Sequence, residues 1–215
     1  MRAKMLMRWR DLSERLGAKG NPDEHYHRLA YYYMQPCRPY HNLSGHISDC
    51  LNNLEEVKAL CPNPNQVELA IWFHDAIYET WASDNEHQSG LLANFFITKL
   101  MGLDPLLAVR VWHLILATKH NMTPENLNHD ARILVDIDLV SLAASPSQFE
   151  INSKNIRREY HWVTPEENYR REQVKILDKF LKRNSIYCTP YFREKYETQA
   201  RLNLEAEIER LRTAL

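Results

Sequence analysis

Apolar residues in this chain return every three or four positions over long stretches, and no clear run alternates apolar with polar. Leu43, Ile47, Leu51, Leu54, Val57 and Leu60 keep that step for about five turns, which predicts an amphipathic helix. The run CPNPN at 61–65 stops it, because proline removes a backbone donor and favours extended neighbours. A further helix is predicted from about Gln66 to Thr80, carrying IWFHDAIYE at 71–79. Leu6, Trp9, Leu12 and Leu16 give segment 1–19 a single apolar stripe on an otherwise solvated helix, and EHYHRLAYYYM at 24–34 makes a helix ending before Pro36. SDNE at 83–86 reads as a capping box, with Ser83 as cap and Glu86 reaching back, and opens a helix through Leu92, Phe96 and Leu100. Segment 104–118 is apolar almost all round and is expected to be a central, enclosed helix. Segment 129–143 is another helix, and TPEE at 164–167 caps the next with Thr164, Pro165 and Glu167. The last helix, roughly 190–214, lines up Ala200, Leu204, Ile208 and Leu211.

These patterns, with only five glycines and no linker or repeat, predict an all-α chain. A length of 215 residues suits one core, so the expected organisation is a single domain over 1–215. In it, 1–35 supplies N-terminal helices and 164–215 supplies C-terminal helices packed on the core. A net charge of −1 provides no basic field for nucleic acid or an anionic membrane, so neither is an expected partner. Cys37, Cys50, Cys61 and Cys188 lack any C-x-x-C pairing and read as reduced thiols rather than a disulfide frame or a thiolate zinc site. The N-terminus carries Arg2, Lys4, Arg8 and Arg10 with no long apolar core behind them, and no apolar stretch is long enough to span a bilayer. The expectation is a soluble, cytoplasmic protein.

His74 and Asp75 change the picture, because they put two groups that are costly to desolvate among Ile71, Trp72, Phe73, Ala76 and Ile77. One backbone carbonyl satisfies a lone core imidazole, but a buried carboxylate beside it requires a compensating charge. A divalent cation meets both needs, since imidazole nitrogen and carboxylate oxygen suit zinc, manganese, iron, cobalt or nickel. Side chains of adjacent helical residues point ~100° apart, so such an ion would sit in the angle between them, with other helices closing its shell. The dipeptide alone leaves the metal and the structural reading both standing. A second pair, His129-Asp130, opens a helix after Asn126 and Asn128, where an aspartate suits the positive end of the dipole; it reads as a decoy. His25, His27, His87, His113 and His161 occupy exposed or flanking positions and need no special role. His41, His46, His120 and Asp138 border apolar stripes, as the opening pair does.

An upstream histidine, HD in an apolar segment, and a later aspartate in DIDL together resemble the HD superfamily of metal-dependent phosphohydrolases. RPYHNLSGHI, AIWFHDAIYE, SDNEHQS, LILATKHN, ILVDIDL, IRREY and ARLNLE, spread over 38–205, are similar to one branch of it that has no assigned substrate. The resemblance implies an all-helical HD-type bundle, a metal held by His46, His74, Asp75 and Asp138, and hydrolysis of a phosphate ester or anhydride. Asp136 is the alternative to Asp138 within DIDL. YHNLSGH also resembles the YHN-x-x-H stretch of cyclic-nucleotide phosphodiesterases, which makes His41 a proton donor and His46 a ligand. Here the two histidines are five apart rather than four, so the reverse assignment stands beside that one. A helix beginning between them would restore convergence, with Gly45 supplying backbone freedom.

The expected cofactor is one or two divalent ions per chain, among Mn, Mg, Co, Ni, Fe and Zn, and the expected partner is a small phosphorylated substrate, a nucleotide being one candidate. His41 or His120 would protonate the leaving oxygen, and Glu79 would hold a water or act as base. Lys119 and Arg170, with Arg157, Arg158 and Arg171 as further candidates, would meet phosphate oxygens. A di-iron oxygenase and a nucleotide-binding module without turnover are the competing readings.

Overall fold

A computed structural model describes residues 2–213, and among these every regular element is a helix. Contacts gather into two compact units, Met1–Leu134 and Val135–Leu215.

The first unit contains α1 (Arg2–Leu16), α2 (Pro22–Tyr33), α3 (Ser48–Val57), α4 (Pro64–Phe73), α5 (Asn85–Phe95) and α6 (Pro105–Ala117). Of the predicted stripe on α1, Trp9 and Leu12 are buried and Leu6 and Leu16 half-buried, Met5 joins them in the core, and burying Leu12 fully contributes roughly 1.5–3 kcal/mol. Trp9 meets Trp72 edge-on at 5.3 Å, which ties α1 to α4. The helix predicted over 43–60 is continuous but mixed: a π-helix over Leu43–Ile47, then α3, then a 3-10 turn over Lys58–Leu60.

The enclosed helix is α4, not α6. Every residue from Val67 to Phe73 is buried. Among them, Glu68 is balanced by Arg15, Lys58 and Arg8 at 2.5, 3.6 and 3.8 Å. The apolar run of α6 buries Ala108, Val111, Leu114, Ile115 and Ala117 but leaves Leu106 and Val109 exposed. Gly90 lets α5 approach α6, because a Cβ there would stand 1.8 Å from Trp112.

Three local expectations are corrected. α4 ends at Phe73 rather than near Thr80. The box at 83–86 does not form: α5 starts at Asn85 after Asp84, whose carboxylate accepts from the Gln88 side chain at 2.8 Å and from no backbone amide, while Asn85 ties back to both backbone groups of Glu79 at 2.9 Å. The box at 164–167 is absent too, since α9 (Glu166–Leu181) follows Pro165 with no side-chain cap and Glu167 is taken by Arg171.

α7 (His129–Asp138) begins in the first unit and ends in the second. The second unit continues with a 3-10 turn over Leu139–Ala143, α8 (Pro146–Glu159), α9 and α10 (Pro190–Thr213). α10 buries Ala200, Leu204, Ile208 and Leu211, the face its spacing predicts. Asp136 is wholly buried and accepts from the backbone of Cys188 and Thr189 and from the Thr189 hydroxyl, at 2.6, 2.8 and 2.7 Å. Burial pushes its carboxyl up to about 6 against those donors. Among the described residues, no helix is long and apolar enough to cross a membrane.

Candidate metal centre

Because α4 stops at Phe73, His74 is its C-cap and Asp75 lies in the turn beyond. That stop comes from tertiary partners. The last carbonyls of a helix lack partners within it. Here Trp72 O accepts from the Tyr33 hydroxyl at 2.9 Å. Buried Arg38 donates to the carbonyls of Tyr32, Asp75 and Ala76. Freed from the helix, His74 and Asp75 converge instead of diverging: His74 Nε2 stands 3.3 Å from Asp75 Oδ2.

His46 arrives on the π-helix. Asn42 caps that helix by accepting from the Ser44 and Gly45 amides, and its own carbonyl accepts the Ile47 amide at 3.2 Å, five residues on. The wider π turn absorbs the extra residue between His41 and His46. The helix does begin between the two histidines, but Gly45 is not among the residues with positive φ, so its backbone freedom is not what permits the turn. His46 Nε2 lies 3.1 Å from His74 Nε2 and 3.4 Å from Asp75 Oδ2.

These three atoms form a nearly equilateral triangle. Ligands at ~2.0–2.2 Å from one ion stand ~3.0–3.5 Å apart in octahedral or tetrahedral geometry, so the triangle fits one face of a coordination shell. The tautomer of His74 fits as well. Its Nδ1 is 3.0 Å from Ile71 O, which can only accept, so Nδ1 carries a proton and the neutral ring would present its lone pair at Nε2. Burial pushes the Asp75 carboxyl up, but His74, His41 and His46 outweigh it and hold the group below the ordinary carboxylate range.

Ligand atoms of His46, Cys50 and His74, all in the first unit, lie within 4.8 Å of one another, a group that could hold a metal ion, whereas Asp138 ends α7 in the second unit. All three are buried. Cys50 is the member that sequence reading missed, and its signal was the four-residue step from His46 along one helix. Its sulfur stands 3.8 and 3.7 Å from the two ring nitrogens of His46, nearly equidistant, so it packs across the ring off the direction in which Nε2 points.

The remaining candidates lie elsewhere. His41 stacks on Tyr78, with centroids 4.0 Å apart and planes 25° apart, and its ring centre is 5.6 Å from that of His46. Glu79 is exposed. His120 follows α6 with φ 55 and is half-buried, outside the ligand group. Lys119 donates to Ser83 O at 2.6 Å. Arg170 and Arg157 share Glu166, Arg171 pairs with Glu167, and Arg158 donates to Asn155. The decoy pair is structural: Asp130 accepts from the amide and side chain of Asn63, and His129 Nε2 donates to Leu60 O. His25, expected at the surface, is buried.

Compared with family models, curated proteins and solved structures, the chain matches none.

Proposed function

We propose that this chain is a metal-dependent hydrolase of phosphate esters or anhydrides on a small molecule, built on an HD-type site. The observation that carries the reading is the triangle of His46 Nε2, His74 Nε2 and Asp75 Oδ2, with edges of 3.1, 3.4 and 3.3 Å. The residues present suit a divalent transition ion: two imidazoles, one with its Nδ1 proton held by a carbonyl, and an ionised carboxylate, to which the family resemblance would add Asp138 as a fourth ligand. Bound there, such an ion supplies Lewis acidity toward a phosphoryl oxygen and makes water a better nucleophile at neutral pH.

The chain's own residues do the rest. Asp75 supplies the charge that keeps a cation in a largely apolar setting. The Ile71 carbonyl orients His74. His41 stands beside the ligand ring without entering the triangle, which suits a donor to the leaving oxygen.

The test is phosphate release from a panel of nucleotides and phosphomonoesters, repeated with Mg, Mn, Co, Ni, Zn and Fe. Turnover in wild type that disappears in Asp75→Ala supports the reading. Iron-dependent oxygen consumption without phosphate release overturns it in favour of an oxygenase.

A further inference from the structure

The hydrolase reading gives His41 a task that depends on where its ring points, yet His41 belongs to no helix. It lies between α2 and the π-helix. We infer that Tyr78 is the positioning residue for His41, and that buried Arg38 holds Tyr78 in place. This rests on the proposed hydrolase function and extends it.

The contacts run in one series. The guanidinium of Arg38 stands 4.9 Å from the centre of the Tyr33 ring and 5.4 Å from that of Tyr78. Its hydrogen bonds go to carbonyl oxygens, and among the described residues no carboxylate pairs with it. A buried cation with only carbonyls and ring faces for company is costly unless those partners need it. They do: without Arg38 the Asp75 and Ala76 carbonyls lose a donor, and they belong to the turn that leads from the ligand aspartate to Tyr78. One cation therefore braces both the ligand turn and the aromatic ring two residues further on. That ring then lies against His41 at 4.0 Å, nearly parallel. Tyr40 meets His41 edge-on at 4.7 Å and stacks on His46 at 5.3 Å, so the imidazole is confined by rings on two sides. A stacked face holds the plane of the imidazole by roughly two- to tenfold over unstacked planes.

The test uses the full chain in Tyr78→Leu, Tyr78→Ala and Tyr78→Phe forms, with manganese content measured in each. The probes are phenyl phosphate, a poor leaving group, and p-nitrophenyl phosphate, a good one. Tyr78→Leu keeps bulk but removes the π face, so it guards against loss of fold in Tyr78→Ala. In both, kcat for phenyl phosphate is expected to fall roughly tenfold or more, and for the nitrophenyl ester about threefold or less, with KM and metal content unchanged. Tyr78→Phe keeps the ring and is expected to restore most of the lost turnover. Independently, the His41 Cε1 proton, assigned by its loss in His41→Ala, should resonate upfield in wild type and move downfield in Tyr78→Leu. An unmoved resonance, or equal losses for both esters, overturns the inference. If wild type releases phosphate from neither ester and from no member of the wider panel under any metal, the hydrolase reading falls instead, and the resonance still decides whether Tyr78 sets the ring.

Discussion

The Nε2 atoms of His46 and His74 stand 3.1 Å apart, within hydrogen-bonding distance, while the Ile71 carbonyl accepts from Nδ1 of His74. An ion between the rings would replace that hydrogen bond by shared coordination, with Asp75 as the compensating charge. Asp75→Ala should therefore lose the metal while far-ultraviolet circular dichroism persists. Elemental analysis after gel filtration checks it, and unchanged metal content would remove the basis for the site.

His41 and His46 should separate cleanly. His46→Ala is expected to weaken metal affinity by at least tenfold, with activity partly returning at high metal concentration. His41→Ala should keep the ion and lose turnover, least with nitrophenyl esters. Metal titrations on both variants decide it; loss of metal in the His41 variant with retention in the His46 variant would reverse the roles.

Removing the other pair should leave the metal alone and cost stability instead. His129→Ala with Asp130→Ala deprives the Asn63 amide of its acceptor and Leu60 O of its donor. About 1–3 kcal/mol is expected, read from urea unfolding midpoints.

Arg38→Lys should cost a similar amount, about 2–3 kcal/mol, although charge is conserved. An ammonium has neither the planar fork that reaches three carbonyls nor the flat face that lies against Tyr33 and Tyr78. Thermal unfolding of the metal-free chain checks this apart from ligand binding.

His25 predicts a pH effect. Burial lowers its pKa from the ordinary 6.5, with Arg28 adding to the shift, so folding favours the neutral ring. The unfolded chain binds the proton more readily, so this contribution is complete above 6.5 and is lost as pH falls from there toward the folded value. Unfolding midpoints at pH 7.5 and 5.5 should differ less in His25→Leu than in wild type.

Helix positions were legible wherever a stripe had one buried side, as on α1, α3 and α10. What escaped was set by distant partners. Nothing local after Phe73 signals an end to α4; Tyr33 and Arg38 impose it from about forty residues away, and so decide how His74 and Asp75 converge. Ser83 and Glu86 had the residue types for a box, but Asn85 found the Glu79 backbone first. Burial of α4 rather than α6 was also hidden, because hydropathy gives the apolar character of a helix and not how many neighbours surround it. The roles of Asp136 and Asp138 parted for the same reason: the loop at Cys188 and Thr189 claims the first.

The π turn also makes the chain tolerant of a change in length at one place. Residues beyond His46 follow ordinary α geometry, so the register joining that histidine to Cys50, Leu51, Leu54 and Val57 is settled downstream of the wide turn. Deleting one residue between Asn42 and His46 would let an α turn close the same gap. The ligand and the apolar stripe would keep their faces, and the displacement would fall on Tyr40 and His41. A deletion here would thus alter the residues around the candidate site while sparing the core, a hinge in sequence space rather than in motion.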